Sequence, residues 1–303
     1  MELRQLVHFL AVVDNGSFSD AARKLRLSQP ALTTSIQALE RSLGVRLFER
    51  SHQGALLTAA GHTLEIRARL ASAELKTAEQ EIGELQDARR GRVTIGCGSV
   101  FANSILPRVI AQFRPTHPEI QFGVTEGLYR EIVPHIERGT IECGVYSLPP
   151  TFHSAELVKE ILIPRNRFHV VTSPKNPLAK RRKVSLQEIW PGPWLLPRVA
   201  DQVSLLLTET FRKAGLPPIV PLVEVSSGIL AKEILRENPT FLTLTQELLV
   251  RDELRTGVLH ALPVAEAKWV REVSLLYRKG GVLTGATQEF LKVVRAVCAD
   301  LAR

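Results

Sequence analysis

The chain has 303 residues, 45% of them hydrophobic and 23% charged, with 39 Lys and Arg against 31 Asp and Glu for a formal charge of +8. That length exceeds one ordinary core and predicts two or three globular domains, while the lack of any apolar run near ~20 residues excludes a membrane-spanning helix and the acid Glu2 argues against a secretory leader. Three widely spaced cysteines, Cys97, Cys143 and Cys298, fit a reducing cytoplasm better than a disulfide framework. The positive charge does not gather at the start, because residues 1–58 hold seven basic and five acidic side chains. Part of it lies in the run Lys180-Arg181-Arg182-Lys183, which reads as a solvated basic surface as readily as a polyanion site.

Residues 15–30 read as a loop, a short helix and a tight turn. Ser17 caps that helix, and Asp20 three residues on completes a capping-box pattern. Ala21 and Ala22 let a second helix approach closely, and Leu25 points to a core. Ser28 caps the next helix, Pro30 sits in its first turn where a missing N–H costs little, and Gly44 ends it. Leu32, Ile36, Leu39 and Leu43 make one apolar stripe. The opposite face carries Gln29, Thr33, Thr34, Gln37 and Arg41. Two short helices so joined, the second with an uncharged polar face, make a helix-turn-helix. Amides and hydroxyls donate to and accept from base edges in a major groove, whereas Lys and Glu only neutralise or repel phosphate. The expected partner is therefore double-stranded DNA, with Ser17, Phe18, Ser28, Pro30 and Ala31 beside the reading face. Residues 45–58 alternate around Gly54 as a two-stranded wing that carries Arg46, Arg50, His52 and Gln53 toward the phosphates. In isolation, any capped amphipathic helix with Thr outside shares the pattern of residues 28–44; the next segment separates the readings.

From Thr58 to Ala88 there is no proline. Leu64, Ala68, Ala71, Leu75, Ala78, Ile82 and Leu85 recur at spacings of 4, 3, 4, 3, 4 and 3, the 3.5-residue repeat of a two-helix seam. A helix of ~30 residues spans roughly 45 Å. Its partner is most simply a second copy, and a homodimer places two recognition helices on one face of a duplex.

At this point the first 61 residues resemble the winged helix-turn-helix of LysR-type transcriptional regulators: "SQPAL", "IQALE", "LGVRLFER" and "LTAAG" match in order and spacing. The resemblance extends more loosely to the whole chain. It implies dimers or tetramers built on the linker helix, and a two-lobed α/β domain, like type II periplasmic binding proteins, that senses a small molecule. Thr34 stands where the family often has Arg, which removes one expected DNA contact. The expected domains are residues 1–58 for the head, 59–88 for the linker, and 91–303 for the sensor. Its first lobe takes about 91–161 and 267–303, its second about 162–266.

Beyond a basic hinge near Gly91, expected strands (93–97, 120–125, 141–146, 168–172, 221–225, 272–278) alternate with expected helices (102–114, 129–138, 203–214, 228–237, 285–301). That order predicts α/β architecture with largely parallel sheets. Ligands of open sheets bind beyond the strand C-termini, and the first such turn here is "GCGSVF". There Ser99 and the following N–H groups can hold an anionic ligand, with Cys97, Val100 and Phe101 around them. The resemblance adds Thr125, Leu128, Ser147, Arg198, Ser227 and Thr243 to the cleft. Leu128 replaces a common Ser or Thr, which hints at a less polar or larger effector, and "ENPTFLTLTQ" replaces the usual glycine-rich turn. Two other classes stay open: an α/β enzyme using the turn from Gly96 to Ser99, and a solute-binding protein. The turn lacks the third glycine of a dinucleotide fingerprint and the G-x-S-x-G order of a nucleophile elbow. The histidines show no metal-ligand spacing, and no cofactor is expected.

Overall fold

The computed structural model describes residues 1–51, 54–86, 91–197, 202–266 and 269–302. Helices α1 (Leu3–Asn15), α2 (Phe18–Leu25) and α3 (Gln29–Leu43) and the antiparallel hairpin β1 (Phe48–Ser51) and β2 (Gly54–Leu57) form the N-terminal head. Phe9, Val12, Ala21, Leu32 and Leu39 are fully buried at its centre. The apolar stripe of α3 stops at Leu39, because Leu43 is 38% exposed where Gly44, at φ 71°, turns the chain away. Only half of the expected capping box forms. The Ser17 hydroxyl accepts from the Asp20 N–H but donates to the Asp20 carboxylate, which is thereby drawn away from the Ser17 backbone. The turn between α2 and α3 passes through Arg26 at φ 56°, a left-handed position held by a non-glycine residue.

The linker helix α4 (Ala59–Gln86) starts inside the head. Leu64 and Ala68 pack into the head's own core, and Arg69 ties the helix to α1 through Asp14 at 2.6 Å while bonding Glu65 at 3.0 Å. The first part of the expected seam is therefore intramolecular. From Ala71 on, the same repeat is open: Ala71, Leu75, Ala78 and Ile82 are exposed, the two large ones at 45% and 58%. The Leu85 side chain lies outside the described set. Another side of α4 meets the C-terminal region, where Glu74 pairs with Arg278. There Gly139, at φ 71°, lies so close to Ala73 that an added Cβ would come within 2.8 Å of it.

The C-terminal region is built on a nine-stranded sheet of β3 (Gly91–Cys97), β4 (Ile120–Glu126), β5 (Cys143–Ser147), β6 (Leu157–Thr172), β7 (Trp194–Leu196), β8 (Val223–Glu224), β9 (Leu242–Gln246), β10 (His260–Ala261) and β11 (Val270–Arg278). The order is β4-β3-β5-β11-β6-β9-β7-β8, with β10 beside β6. It is mixed rather than largely parallel. The β4-β3-β5 and β9-β7-β8 groups are parallel, and the long strands β6 and β11 join them through antiparallel pairs. The expected strand at 168–172 is the end of this 16-residue strand. A core of Ile95, Phe113, Phe290 and Val294 lies on one side of the junction, and one of Trp194, Leu207, Phe211 and Leu242 on the other.

The helices are α5 (Leu106–Phe113), α6 (Tyr129–Glu137), α7 (Leu186–Ile189), α8 (Gln202–Lys213), α9 (Gly228–Glu237), α10 (Glu247–Thr256) and α11 (Gly285–Leu301). The helix expected from 102 opens instead as a π-helical turn, Phe101–Ile105, just before Pro107, whose missing N–H breaks the regular ladder.

Candidate nucleic-acid face and inter-lobe site

On α3 the burial pattern separates two faces. Leu32, Ile36 and Leu39 are at most 2% exposed, while Gln29, Pro30, Ala31, Thr34, Gln37 and Arg41 face solvent and Thr33 is half-buried. Ser28 is the N-cap, its hydroxyl accepting from Ala31 N–H at 3.3 Å. The Thr34 hydroxyl donates to the Pro30 carbonyl at 2.9 Å and Arg41 Nε to the Gln37 carbonyl at 3.3 Å. The amides of Gln29 and Gln37 are thus left facing solvent. Phe18 belongs to the core instead: its ring meets Phe48 edge-on, centroids 5.4 Å apart. Arg50 falls in β1 without a described side chain, and His52 and Gln53 lie outside the described residues.

Two contacts in the head escaped the sequence pattern. Glu40 reaches across from α3 to accept the Leu47 N–H at 2.7 Å and, more weakly, the Phe48 N–H at 3.4 Å, fixing where the wing begins. His8 on α1 meets Ser35 on α3 at 2.7 Å. Burial, and then the nearby Arg4 charge, push its pKa below the ordinary imidazole value. The single signal available beforehand was the polar character of Glu40 on a half-buried side of the helix.

The expected cleft residues divide. Cys97, Val100 and Phe101 are core residues, at 0%, 6% and 1% exposure. Burial and the Glu126 charge push the Cys97 thiol up to about 12, which keeps it protonated and unreactive. Thr243 is buried and donates to the Leu195 carbonyl at 2.7 Å. Ser227 caps α9 by accepting from Leu230 N–H. Cys97, Val100, Phe101 and Thr243 are thus inside the walls, whereas Ser227 stays exposed at the start of α9. Ser99 is half-buried, while Thr125 and Leu128 are exposed. Leu128 N–H donates to the Glu131 carboxylate at 3.1 Å, so an acid already occupies the first turn of α6. Arg198 lies outside the described residues.

Ser147 ends β5, and its Oγ is buried without a hydrogen-bond partner. Asn166, on β6 and 2% exposed, donates its Nδ2 to Gln246 Oε1 and leaves Oδ1 unpartnered. Gln246 is the residue before α10, whose Leu248 and Leu249 pack with Val100 and Phe101 across the junction. The two unsatisfied groups lie on β5 and β6, on either side of β11 where the two halves of the sheet join. The sequence carried no periodic signal for Asn166, because it lies beside a register shift in β6 next to Pro164, and proline cannot donate to a ladder.

Two family descriptions match this chain: "Bacterial regulatory helix-turn-helix protein, lysR family" over residues 3–62 and "LysR substrate binding domain" over residues 86–299. The chain is 26% identical over 301 residues to the HTH-type transcriptional regulator GalR of Pseudomonas putida, covering 99% of this chain and 75% of that protein. It is 30% identical over 220 residues to the transcriptional dual regulator GltC of Bacillus subtilis, covering 73% of each. Among solved structures, a full-length OxyR variant from Pseudomonas aeruginosa has a TM-score of 0.67 at 19% identity, covering 98% of this chain and 94% of that one. That last likeness shows the fold alone.

Proposed function

The chain belongs to the LysR family of DNA-binding transcriptional regulators, and from that premise we propose that two copies, paired along α4, read an operator with α3 and answer to a small effector held between the sensor lobes. The observation that carries this reading is the split of α3, with Leu32, Ile36 and Leu39 inside and Gln29, Thr34 and Gln37 outside. An amide face turned to solvent has the donors and acceptors that base edges present in a major groove. The separate hydrophobic centres support a division into a head at 1–58, a linker at 59–88 and a sensor at 91–303. Within the sensor, 91–161 with 267–303 and 162–266 serve as the two lobes.

Pairing uses the exposed end of the heptad repeat, Ala71, Leu75, Ala78 and Ile82, and tetramers follow by a second contact between dimers. Effector binding acts by favouring one arrangement of lobes or protomers over another, which changes the spacing or angle of the two heads. We read the sensor as a binding rather than a catalytic domain, since the thiol nearest its first turn is held protonated. Among the described residues no helix is long and apolar enough to cross a membrane, and we place the protein in the cytoplasm with its DNA.

The test is binding of the purified chain to its own upstream DNA at two salt concentrations, with footprinting. A dyad-symmetric protected site whose affinity falls steeply with salt is expected. Gln29→Ala should reduce discrimination between this site and random DNA by about 1–3 kcal/mol. An equal loss on both DNAs would show that Gln29 reads no base.

A further inference from the structure

We propose that the contact between α4 and the sensor, Ala73 against Gly139 and Glu74 with Arg278, is a releasable latch through which the sensor sets the direction of its own head. The inference rests on the regulator reading above and gives it a moving contact.

Two attachments are needed to fix the direction of a rod. The chain itself joins α4 to the sensor beyond Gln86. Glu74 lies twelve residues back along the helix, roughly 18 Å from that end, and so supplies the second point. From residue 71 to residue 79 every position is exposed except Ala73 and Thr77, which are half-buried. These two are one turn apart, on the far side of the helix from Ala71, Leu75 and Ala78. Pairing of copies and docking on the sensor therefore use different faces and can coexist.

The dock is stiff on one side and weak across the join. The Glu142 carboxylate accepts from Thr94 N–H at 3.1 Å, from Thr284 N–H at 3.3 Å and from the Thr287 hydroxyl at 2.8 Å. Those bonds tie the loop after Gly139 to β3 and to the start of α11. Between helix and sensor the fit is looser. A cavity of about 20 Å³ lies among Ala73, Thr77, Ile141 and Arg278, room for about one water. The ion pair is itself open to solvent, Arg278 at 21% and Glu74 at 46%, and pairs of that kind contribute little. A rigid seat with a weak bond is a contact that opens as a unit.

Its position joins the latch to the lobe junction. Arg278 is the last residue of β11, and Gly139 lies four residues before β5. The two strands pair from Cys143 with Tyr277 to Ser147 with Val273, and β11 continues to Arg271 opposite Asn166. One paired ribbon thus runs from the seat of α4 to the junction, roughly 13 Å between Cys143 and Ser147.

The experiment uses the full chain, read by small-angle X-ray scattering and by the bend it imposes on its own upstream DNA. Glu74→Arg and Arg278→Glu each remove the attraction and add a repulsion, while Ala73→Leu wedges the helix off Gly139 without changing charge. Each should raise the released population about fivefold or more, seen as a longer maximum dimension and an altered bend, with mass and Tm unchanged. Glu74→Arg combined with Arg278→Glu remakes the pair and should return both readings to wild type. Wild-type scattering in Glu74→Arg and Ala73→Leu would overturn the proposal. So would a double variant that stays released, because the two residues would then act separately. If Arg278→Glu lowers Tm, Glu74→Arg and Ala73→Leu decide alone, since both lie on the solvated helix. Scattering needs no DNA, so variants that show the released form in a chain that binds no operator would refute the regulator reading and support the latch.

Discussion

Replacing Glu40 by Ala tests whether the wing is positioned by one carboxylate. Glu40 Oε1 accepts from Leu47 N–H at 2.7 Å and from Phe48 N–H at 3.4 Å, both partly buried, and Leu47 and Phe48 are themselves 1% and 7% exposed. A hydrogen bond to a charged group contributes about 1.5–3 kcal/mol, and a donor left unsatisfied carries its own desolvation cost. The second contact is long and adds little. Partial solvent access lets water replace part of the loss, so the expected effect is about 2 kcal/mol, or roughly 30-fold in the local opening equilibrium. Hydrogen exchange followed by mass spectrometry reads this directly. Peptides covering residues 45–57 should exchange roughly 30-fold faster in Glu40→Ala while α11 is unchanged. Glu40→Gln keeps an acceptor without its charge and should fall between the two. Operator affinity should drop with the loosened wing. Unaltered exchange across 45–57 in Glu40→Ala would show that the hairpin and Phe9–Phe48 packing hold the wing without the carboxylate.

Leu75→Asp with Ile82→Asp should dissociate the paired linker helices, since each places a charge in a seam that is 45% and 58% exposed in the single chain. Sedimentation velocity would report a lighter species, and an unchanged profile would move the pairing surface elsewhere. The head should also lose stability as pH falls. His8 has its folded pKa depressed by burial and Arg4, so the neutral form is the one that folds. Its contribution is present above about pH 6.5, the unfolded value, and is lost as pH falls through the lower folded value. Urea midpoints of the head transition should decline on acidification, and His8→Gln should flatten that slope. A slope identical to wild type would remove His8 from the account.

What could be read from the sequence follows from how far each interaction reaches along the chain. Ser17, Ser28, Pro30 and Gly44 act on their own helices, and their effects appeared where the local pattern put them. Helices at 228–237 and 285–301 were legible for the same reason. The strands β7 and β9 were not. Trp194–Leu196 is three residues long, and Leu242–Gln246 is recognisable as a strand chiefly through its pairing with β6 and β7. Val100 and Phe101 were expected at the ligand because they follow the first turn, and Thr243 through the family resemblance, but position along the chain says nothing about which side of a turn faces a core. Asn166 was invisible because its burial and its bond to Gln246, 80 residues further on, depend on how the strands pair.

The linker repeat shows the same limit in a sharper form. Leu64 and Ala68 satisfy a heptad as well as Leu75 and Ile82 do, yet the first pair packs on the head and the second stays open. A 3.5-residue spacing records that one helix face will be covered; it carries no mark of the covering partner. The change of partner falls just after Arg69, whose bond to Asp14 ties α4 to the head, and Ala71 is the first repeat position left exposed. A mutation at Arg69 should therefore disturb the junction between head and linker, and one at Leu75 the pairing of copies, although both lie within six residues of one uninterrupted helix.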